Sequence, residues 1–233
     1  MDGRLHIDYV EALLGTQIAL RGAKIGCRVQ FVAQDSLVMQ ARNSIVAAFL
    51  ASGDTDLIFI DSDIRWQPQD FLKLISHDVP LVAGVYRRKI EAVDFAMKFA
   101  DNNKVVRDGE TGLIAAAGVG AGFLRIRRDC LERMIGSYPS LRYRPPLIST
   151  DRSDRYALFD TTVENNEFVG EDYTFCRRWT AIGGTVWIDP DISLEHIGSA
   201  AYSGSLWDSL KASTGNGLFH RSGREHQSPR PQR

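Results

Sequence analysis

The sequence is short of the features that would settle its class at once. Cysteine is scarce: 233 residues hold three, an odd number. Cys27, Cys130 and Cys176 lie far apart beside apolar neighbours and no CxxC spacing occurs, which argues against a disulfide framework and against structural zinc; reduced, mostly buried thiols are expected. Long apolar runs are also lacking. None approaches the roughly 18 to 20 residues of a bilayer span, and the N-terminus has no basic segment followed by an apolar one. These absences point to a soluble, cytoplasmic chain without a membrane span. The formal net charge is -1 and the pI lies near 6.5, so there is no overall cationic field to hold a polyanion, and nucleic acid is not indicated as a partner. No internal repeat is visible.

What is present is enough apolar content, 44%, for one good core, and the length suits a single α/β domain. Apolar positions Ile7, Val10, Leu13, Leu14 and Ile18 recur at helical spacing from His6 to Leu20, with Gly22 as a stop. Cys27 to Ala33 reads as a strand running into polar Gln34, Asp35 and Ser36. Leu37 to Ala51 predicts a helix with Val38, Ala41, Ile45, Ala48 and Phe49 on one face. Asp56 to Ile60 is a continuous apolar run of strand length that stops at acids, Pro68 to Ile75 a helix opened by proline, and Val79 to Val85 another buried strand. This alternation predicts a mostly parallel central sheet flanked by helices, with ligands at the carboxyl ends of the strands. Further on, the spacing predicts a strand at Leu124 to Ile126, helices over Arg128 to Ile135 and Gly170 to Ile182, a strand at Thr185 to Ile188, and a loop over Tyr138 to Asp154. The domain is expected to span 1–202, and 203–233 to form a polar tail, partly disordered in its last dozen residues. An open parallel sheet normally begins with a strand, yet this chain enters on a loop and helix. The expectation is that a first strand is missing or that translation starts upstream of Met1.

The strongest chemical signal is LIFIDSDI. Asp61 and Asp63 emerge where a strand gives way to a loop, and a hard divalent cation with oxygen ligands would offset the cost of bringing carboxylates together while gripping diphosphate oxygens. Loop or helix-capping acids are the plainer account. The order of an Ala41-Arg42-Asn43 helix, a buried strand, the Asp61-Ser62-Asp63 triplet and a proline-opened helix resembles the GT-A glycosyltransferases, closest to the family-2 enzymes and the fungal mannan-polymerase mannosyltransferases. Later segments extend the resemblance over about residues 5 to 198: GVGAGFLRIRRDCLERM, FVGEDYTFCRRW and WIDPDISLEHIG.

The resemblance implies a single GT-A-like domain and a metal-dependent glycosyltransferase, a hexosyltransferase, that moves a sugar from a UDP- or GDP-sugar to a hydroxyl acceptor. It implies Mn2+ or Mg2+ held by Asp61, Asp63 and His196. Asp172 is implied as general base with Glu171 as its acidic neighbour, although both acids would also suit a helix N-terminus. Gln34, Asp35, Ser36, Arg42 and Asp61 are placed like donor-binding residues, Arg42 as a fork for phosphate oxygens. Gly118, Gly120 and Gly122 resemble the loop beside the donor sugar. Tyr86, Arg87, Arg88 and Lys89, just after the VPLVAGV run, could face the acceptor or the phosphates, but read best as a solvated basic turn. Two alternatives stay open: a nucleotidyltransferase of related fold, which normally needs a glycine-rich basic loop not visible here, and a catalytically inactive binding protein that keeps the fold.

Overall fold

The computed structural model describes residues 5–32, 37–101, 105–145, 154–198, 200–213 and 219–221. In chain order the helices are α1 (Ile7–Gly22), α2 (Val38–Leu50), α3 (Pro68–Ser76), α4 (Arg128–Ser137), α5 (Glu171–Ala181) and α6 (Leu206–Ser213). Pro68 opens α3 where its missing N–H has no helical partner to lose, and Glu171 and Asp172 face the positive end of the α5 dipole. The strands are β1 (Asp56–Ile60), β2 (Ile64–Arg65), β3 (Leu81–Gly84), β4 (Met97–Phe99), β5 (Val105–Arg107), β6 (Ile114–Val119), β7 (Phe123–Arg127), β8 (Arg142–Tyr143), β9 (Arg155–Tyr156), β10 (Thr162–Glu164), β11 (Glu167–Val169), β12 (Val186–Asp189), β13 (Ser193–Ile197), β14 (Ala201–Ser205) and β15 (Phe219–Arg221).

The main sheet runs β1-β7-β3-β12-β6-β5-β15, with β4 on β6. The fold is α/β, but the expected mostly parallel sheet is not what forms. Among the described strands of this sheet only β3–β12 and β5–β15 are parallel, and the remaining pairs are antiparallel. The cause is an insertion. Alternation of strands and helices up to Val85 would set β1 beside β3, yet β7 arrives from beyond β6 and pairs antiparallel with both. β1, β3 and β12 still point the same way, so their carboxyl ends share one edge of the sheet.

Period-two alternation sorts the side chains into two apolar layers. Leu81, Ala83, Leu124, Ile126, Val186 and Ile188 face one side, where Val46 and Phe49 of α2, Cys130 and Met134 of α4, and Phe175 and Trp179 of α5 cover them. Val82 and Phe123 face the other, against Leu20 of α1, Phe71 and Leu74 of α3, and Trp66. Three layers result, with the sheet in the middle.

Several sequence expectations are corrected here. α1 forms as expected, but the face chosen from periodicity is partly solvent: Leu14 and Ile18 are 59% and 75% exposed, while Tyr9, Ala12, Thr16 and Leu20 are buried. Apolar residues are spread round this helix rather than gathered on one face, so spacing alone does not select the buried side. Selection comes from Trp66, whose indole Nε1 donates to Thr16 Oγ1 at 2.8 Å and whose ring meets Tyr9 edge-on at 5.2 Å. Residues 27–32 form no strand and are exposed, so Cys27 is an exposed free thiol while Cys130 and Cys176 are buried. The end of that expected strand, with Gln34, Asp35 and Ser36, lies outside the described residues. The domain limit at 202 cuts through β14, and Leu206 is buried in the main core, so the expected tail contributes packing. The stretch 222–233 lies outside the described residues. Part of the expected loop over Tyr138 to Asp154 is regular, with a 3-10 turn at Pro139–Leu141 and β8 paired to β9.

On the α3 side, Asp189 ends β12 in a nearly closed position, where Lys73 Nζ donates at 2.8 Å and His77 Nε2 lies at 2.8 Å. Burial pushes this carboxyl up, and the hydrogen bonds from His77 and Lys73 outweigh burial and hold it below its ordinary value. A depressed carboxylate contributes stability that is full above its unfolded value, near 4, and is lost as pH falls below it. Asp189→Asn is therefore expected to lower stability at neutral pH and to flatten its decline below about pH 4, as read by denaturant melts across pH. For α1, Ile18→Glu should change unfolding free energy by less than about 0.5 kcal/mol, whereas Leu20→Ala should remove about 2–5 kcal/mol. Equal losses from the two would place the buried face wrongly.

Candidate functional site

The shared edge gathers the acids. β1 ends at Ile60, and Asp61 N–H donates to the Gly122 carbonyl at 3.0 Å, continuing the β1–β7 ladder into the glycine loop. Ile64 N–H closes a turn on the Asp61 carbonyl at 3.0 Å, and Ile197 N–H donates to the Asp63 carbonyl at 2.8 Å. Asp61 is thus tied to the β6–β7 turn and Asp63 to β13. The residue between them lets the two carboxylates face different neighbours.

Asp61 faces Arg42. The buried guanidinium lies beside the rings of Phe59 and Phe159, which themselves meet edge-on, at 6.0 and 5.8 Å from their centroids, and its two terminal nitrogens divide between acids: one donates to Asp61 Oδ1 at 3.2 Å, the other to Glu171 Oε1 at 2.9 Å. Asn43, the next residue, clamps the backbone of Phe159 from both sides, donating to its carbonyl at 2.8 Å and accepting its N–H at 3.0 Å. Phe159 in turn stacks on Phe175 of α5 at 4.3 Å. This places the start of α5, and with it Glu171 and Asp172, at the cleft. Burial and the neighbouring Glu171 charge push the Asp172 carboxyl up; hydrogen bonds from backbone N–H groups and the Arg42 charge oppose this only in part.

Asp63 faces His196 and Lys89. Its Oδ2 lies 3.3 Å from His196 Nε2 and 2.7 Å from Lys89 Nζ. Burial raises this carboxyl, but the hydrogen bonds and charges of His196 and Lys89 prevail and hold it at about 2. The other ring nitrogen, His196 Nδ1, lies 2.9 Å from the Arg87 carbonyl. A carbonyl cannot donate, so Nδ1 carries a hydrogen. Nε2 then either bears the second proton of an imidazolium or presents a lone pair straight at a carboxylate oxygen.

Tyr86 joins the two halves. It is 8% exposed, its ring meets His196 edge-on at 4.9 Å, and burial together with the Asp61 and Asp172 charges pushes its phenol up. The glycines of the loop are explained by these neighbours. A Cβ on Gly120 would stand 2.6 Å from the Tyr86 hydroxyl, one on Gly122 2.8 Å from it and 2.9 Å from Asp61 Oδ2, and one on Gly118 2.5 Å from the Tyr173 ring. Small residues are needed there for the chain's own side chains to close in, whatever else the loop does.

Arg42, Asp61, Asp63, Glu171, Asp172, Gly120, Gly122 and His196 therefore gather at one end of the sheet, and Gln34, Asp35 and Ser36 lie outside the described residues. Arg42 points inward to acids. The expected solvated basic turn is corrected in part: Tyr86 is buried and Lys89 reaches Asp63, while Arg88 pairs with Asp94 at 3.1 Å among half-exposed groups. Asn43 and Phe159, 116 residues apart, carried no shared signal in the sequence. A cavity of about 140 Å³ lined by Arg65, Trp66, Gln67, Ser193, Glu195 and Ser203 opens on the opposite face of β13 from His196. At that size it is too small for a nucleotide sugar.

Removing Arg42 would leave Asp61 and Glu171 as neighbouring uncompensated acids. Arg42→Met is expected to lower stability by about 2–3 kcal/mol, less than the 3–5 kcal/mol of a wholly buried pair because Asp61 is 40% exposed. An unchanged urea midpoint would contradict the bridging role.

No protein-family model and no curated protein sequence matches the chain. Solved structures do match it in shape. One, described as the crystal structure of A197 from STIV, is similar over 85% of this chain and 82% of that one, at 16% sequence identity and a TM-score of 0.50. At that identity the likeness concerns the fold alone.

Proposed function

We propose that the chain is a metal-dependent glycosyltransferase of GT-A type, transferring a sugar from a nucleoside diphosphate sugar to a hydroxyl acceptor. One observation carries this reading above the others: His196 Nε2 confronts Asp63 Oδ2 at 3.3 Å while its Nδ1 is committed to the Arg87 carbonyl. Two lone pairs facing each other attract only through a cation or a proton between them. The backbone carbonyl that fixes the tautomer is the usual outer partner of a metal-bound imidazole. Carboxylate oxygen with imidazole nitrogen suits Mn2+, with Asp61 on the same edge to complete the set. No group of three such ligands is preassembled among the described residues. Asp61 is turned to Arg42 and would have to rotate one oxygen outward.

In this reading Asp63, His196 and Asp61 would hold the cation, which supplies Lewis-acid stabilisation of the departing diphosphate. Asp172, raised by burial, would accept the proton of the acceptor hydroxyl as the new glycosidic bond forms. Arg42 positions Glu171 beside it and keeps Asp61 oriented.

The test is a thermal shift with UDP and GDP, each with and without Mn2+. A ligand that binds only the folded state at a hundredfold excess over Kd adds about 2.7 kcal/mol, several degrees for a chain of this size. The reading expects that gain for at least one nucleotide, only when Mn2+ is present. It also expects Asp172→Asn to keep the shift while turnover of the matching nucleotide sugar falls by about 10²–10⁴. A Mn2+-independent shift would favour the nucleotide-binding but inactive alternative, and no shift with either nucleotide would remove the reading.

A further inference from the structure

Lys89 is the basic side chain of the Tyr86–Lys89 turn that reaches Asp63, and its placement is specific. Its Nζ donates to Asp63 Oδ2 at 2.7 Å, the same oxygen that lies 3.3 Å from His196 Nε2. Lys89 and His196 therefore converge on one carboxylate oxygen. The stem of Lys89 is guided there by Gly198, just past β13, where a Cβ would lie 3.1 Å from Lys89 Cδ and 3.5 Å from Cε. Both partners are about a third or more exposed, Lys89 at 35% and Asp63 at 43%, so the ion pair is of the weak, solvent-screened kind.

We propose that Lys89 is an internal counter-ion that competes with a divalent cation for Asp63. This rests on the reading of Asp63 and His196 as cation ligands. An ammonium and a metal ion on a single carboxylate oxygen repel one another at a few ångströms, so each weakens the hold of the other. Lys89 holds the oxygen until a divalent cation takes it, and then swings out on its flexible stem. The freed ammonium stays on the rim, where it is placed to meet the oxygens of an anionic ligand on that cation. Lys89 so makes cation binding weak on its own and makes an anion the natural second partner, a coupling between two ligands that needs no movement of the backbone.

The experiment is Mn2+ titration of the full chain, followed by electron paramagnetic resonance of the free ion, with no nucleotide and no activity readout. Lys89→Met should tighten Mn2+ by roughly three- to tenfold, since the pair it removes is a weak exposed one. Gly198→Val keeps every charge and pushes the Lys89 stem aside, and should also tighten binding. Arg88→Met removes a neighbouring charge that is not on Asp63 and should change the affinity by less than about twofold, a screened effect. Asp63→Asn should abolish binding. If wild type binds Mn2+ through Asp63 but Lys89→Met and Gly198→Val bind no more tightly, the competition is overturned and the metal site stands. If neither wild type nor Lys89→Met binds Mn2+, both fall.

Discussion

The guanidinium of Arg42, packed beside Phe59 and Phe159 and shared by Asp61 and Glu171, is the contact on which the site depends. Three of the four acids at this edge, Asp61, Glu171 and Asp172, come from the end of a strand and the start of a helix more than a hundred residues apart. Without a cation between them, the end of β1 and the beginning of α5 would repel. Arg42 sits on α2, immediately before Asn43, whose paired hydrogen bonds fix the Phe159 backbone. One turn of one helix thus sets the position of an acid on the sheet, an acid on α5 and the aromatic wall beside both. A planar fork suits this task where a lysine would not, because it reaches two carboxylates in different directions at once.

A second chain of contacts passes through Tyr86. It packs into the space left by Gly120 and Gly122, touches His196 edge-on and lies near Asp61, whose charge helps push the phenol up. Asp63 and His196 are fixed by backbone bonds, the first through Ile197 N–H and the second through the Arg87 carbonyl. The cleft is therefore preorganised by the backbone on the Asp63 side and by a side-chain bridge on the Asp61 side. That asymmetry fits one carboxylate ready to take a cation and one that must first turn.

How much of this was legible in the sequence varied with the range of the interaction. Helices α2, α3, α4 and α5 and strand β1 were marked by local signals: Pro68, the acids at 171 and 172, and the apolar run of DLIFI. Strand order was not, because β7 inserts between β1 and β3 from a distant segment, and nothing in residues 56–85 announces it. The buried face of α1 is not legible from spacing because its apolar residues are spread round the helix, and the deciding partner is Trp66. Asp61, Asp63, Glu171, Asp172 and His196 could be singled out as acids and an imidazole at element ends. The inward role of Arg42, the Asn43 clamp and the reach of Lys89 could not, since each depends on a partner chosen by the fold. Gly118, Gly120 and Gly122 stand out in the sequence as a run of small residues, yet what fills the space beside them is aromatic side chain from this chain itself.

The central claim is that Asp63 and His196 face one another because a divalent cation belongs between them. Anomalous diffraction at the manganese edge from crystals grown with Mn2+ tests it most directly. The account predicts a single strong peak within coordination distance of Asp63 Oδ2 and His196 Nε2, with the Lys89 ammonium withdrawn from the carboxylate. A map with no peak there, in which Lys89 still holds Asp63 and His196 donates to it as an imidazolium, would contradict it.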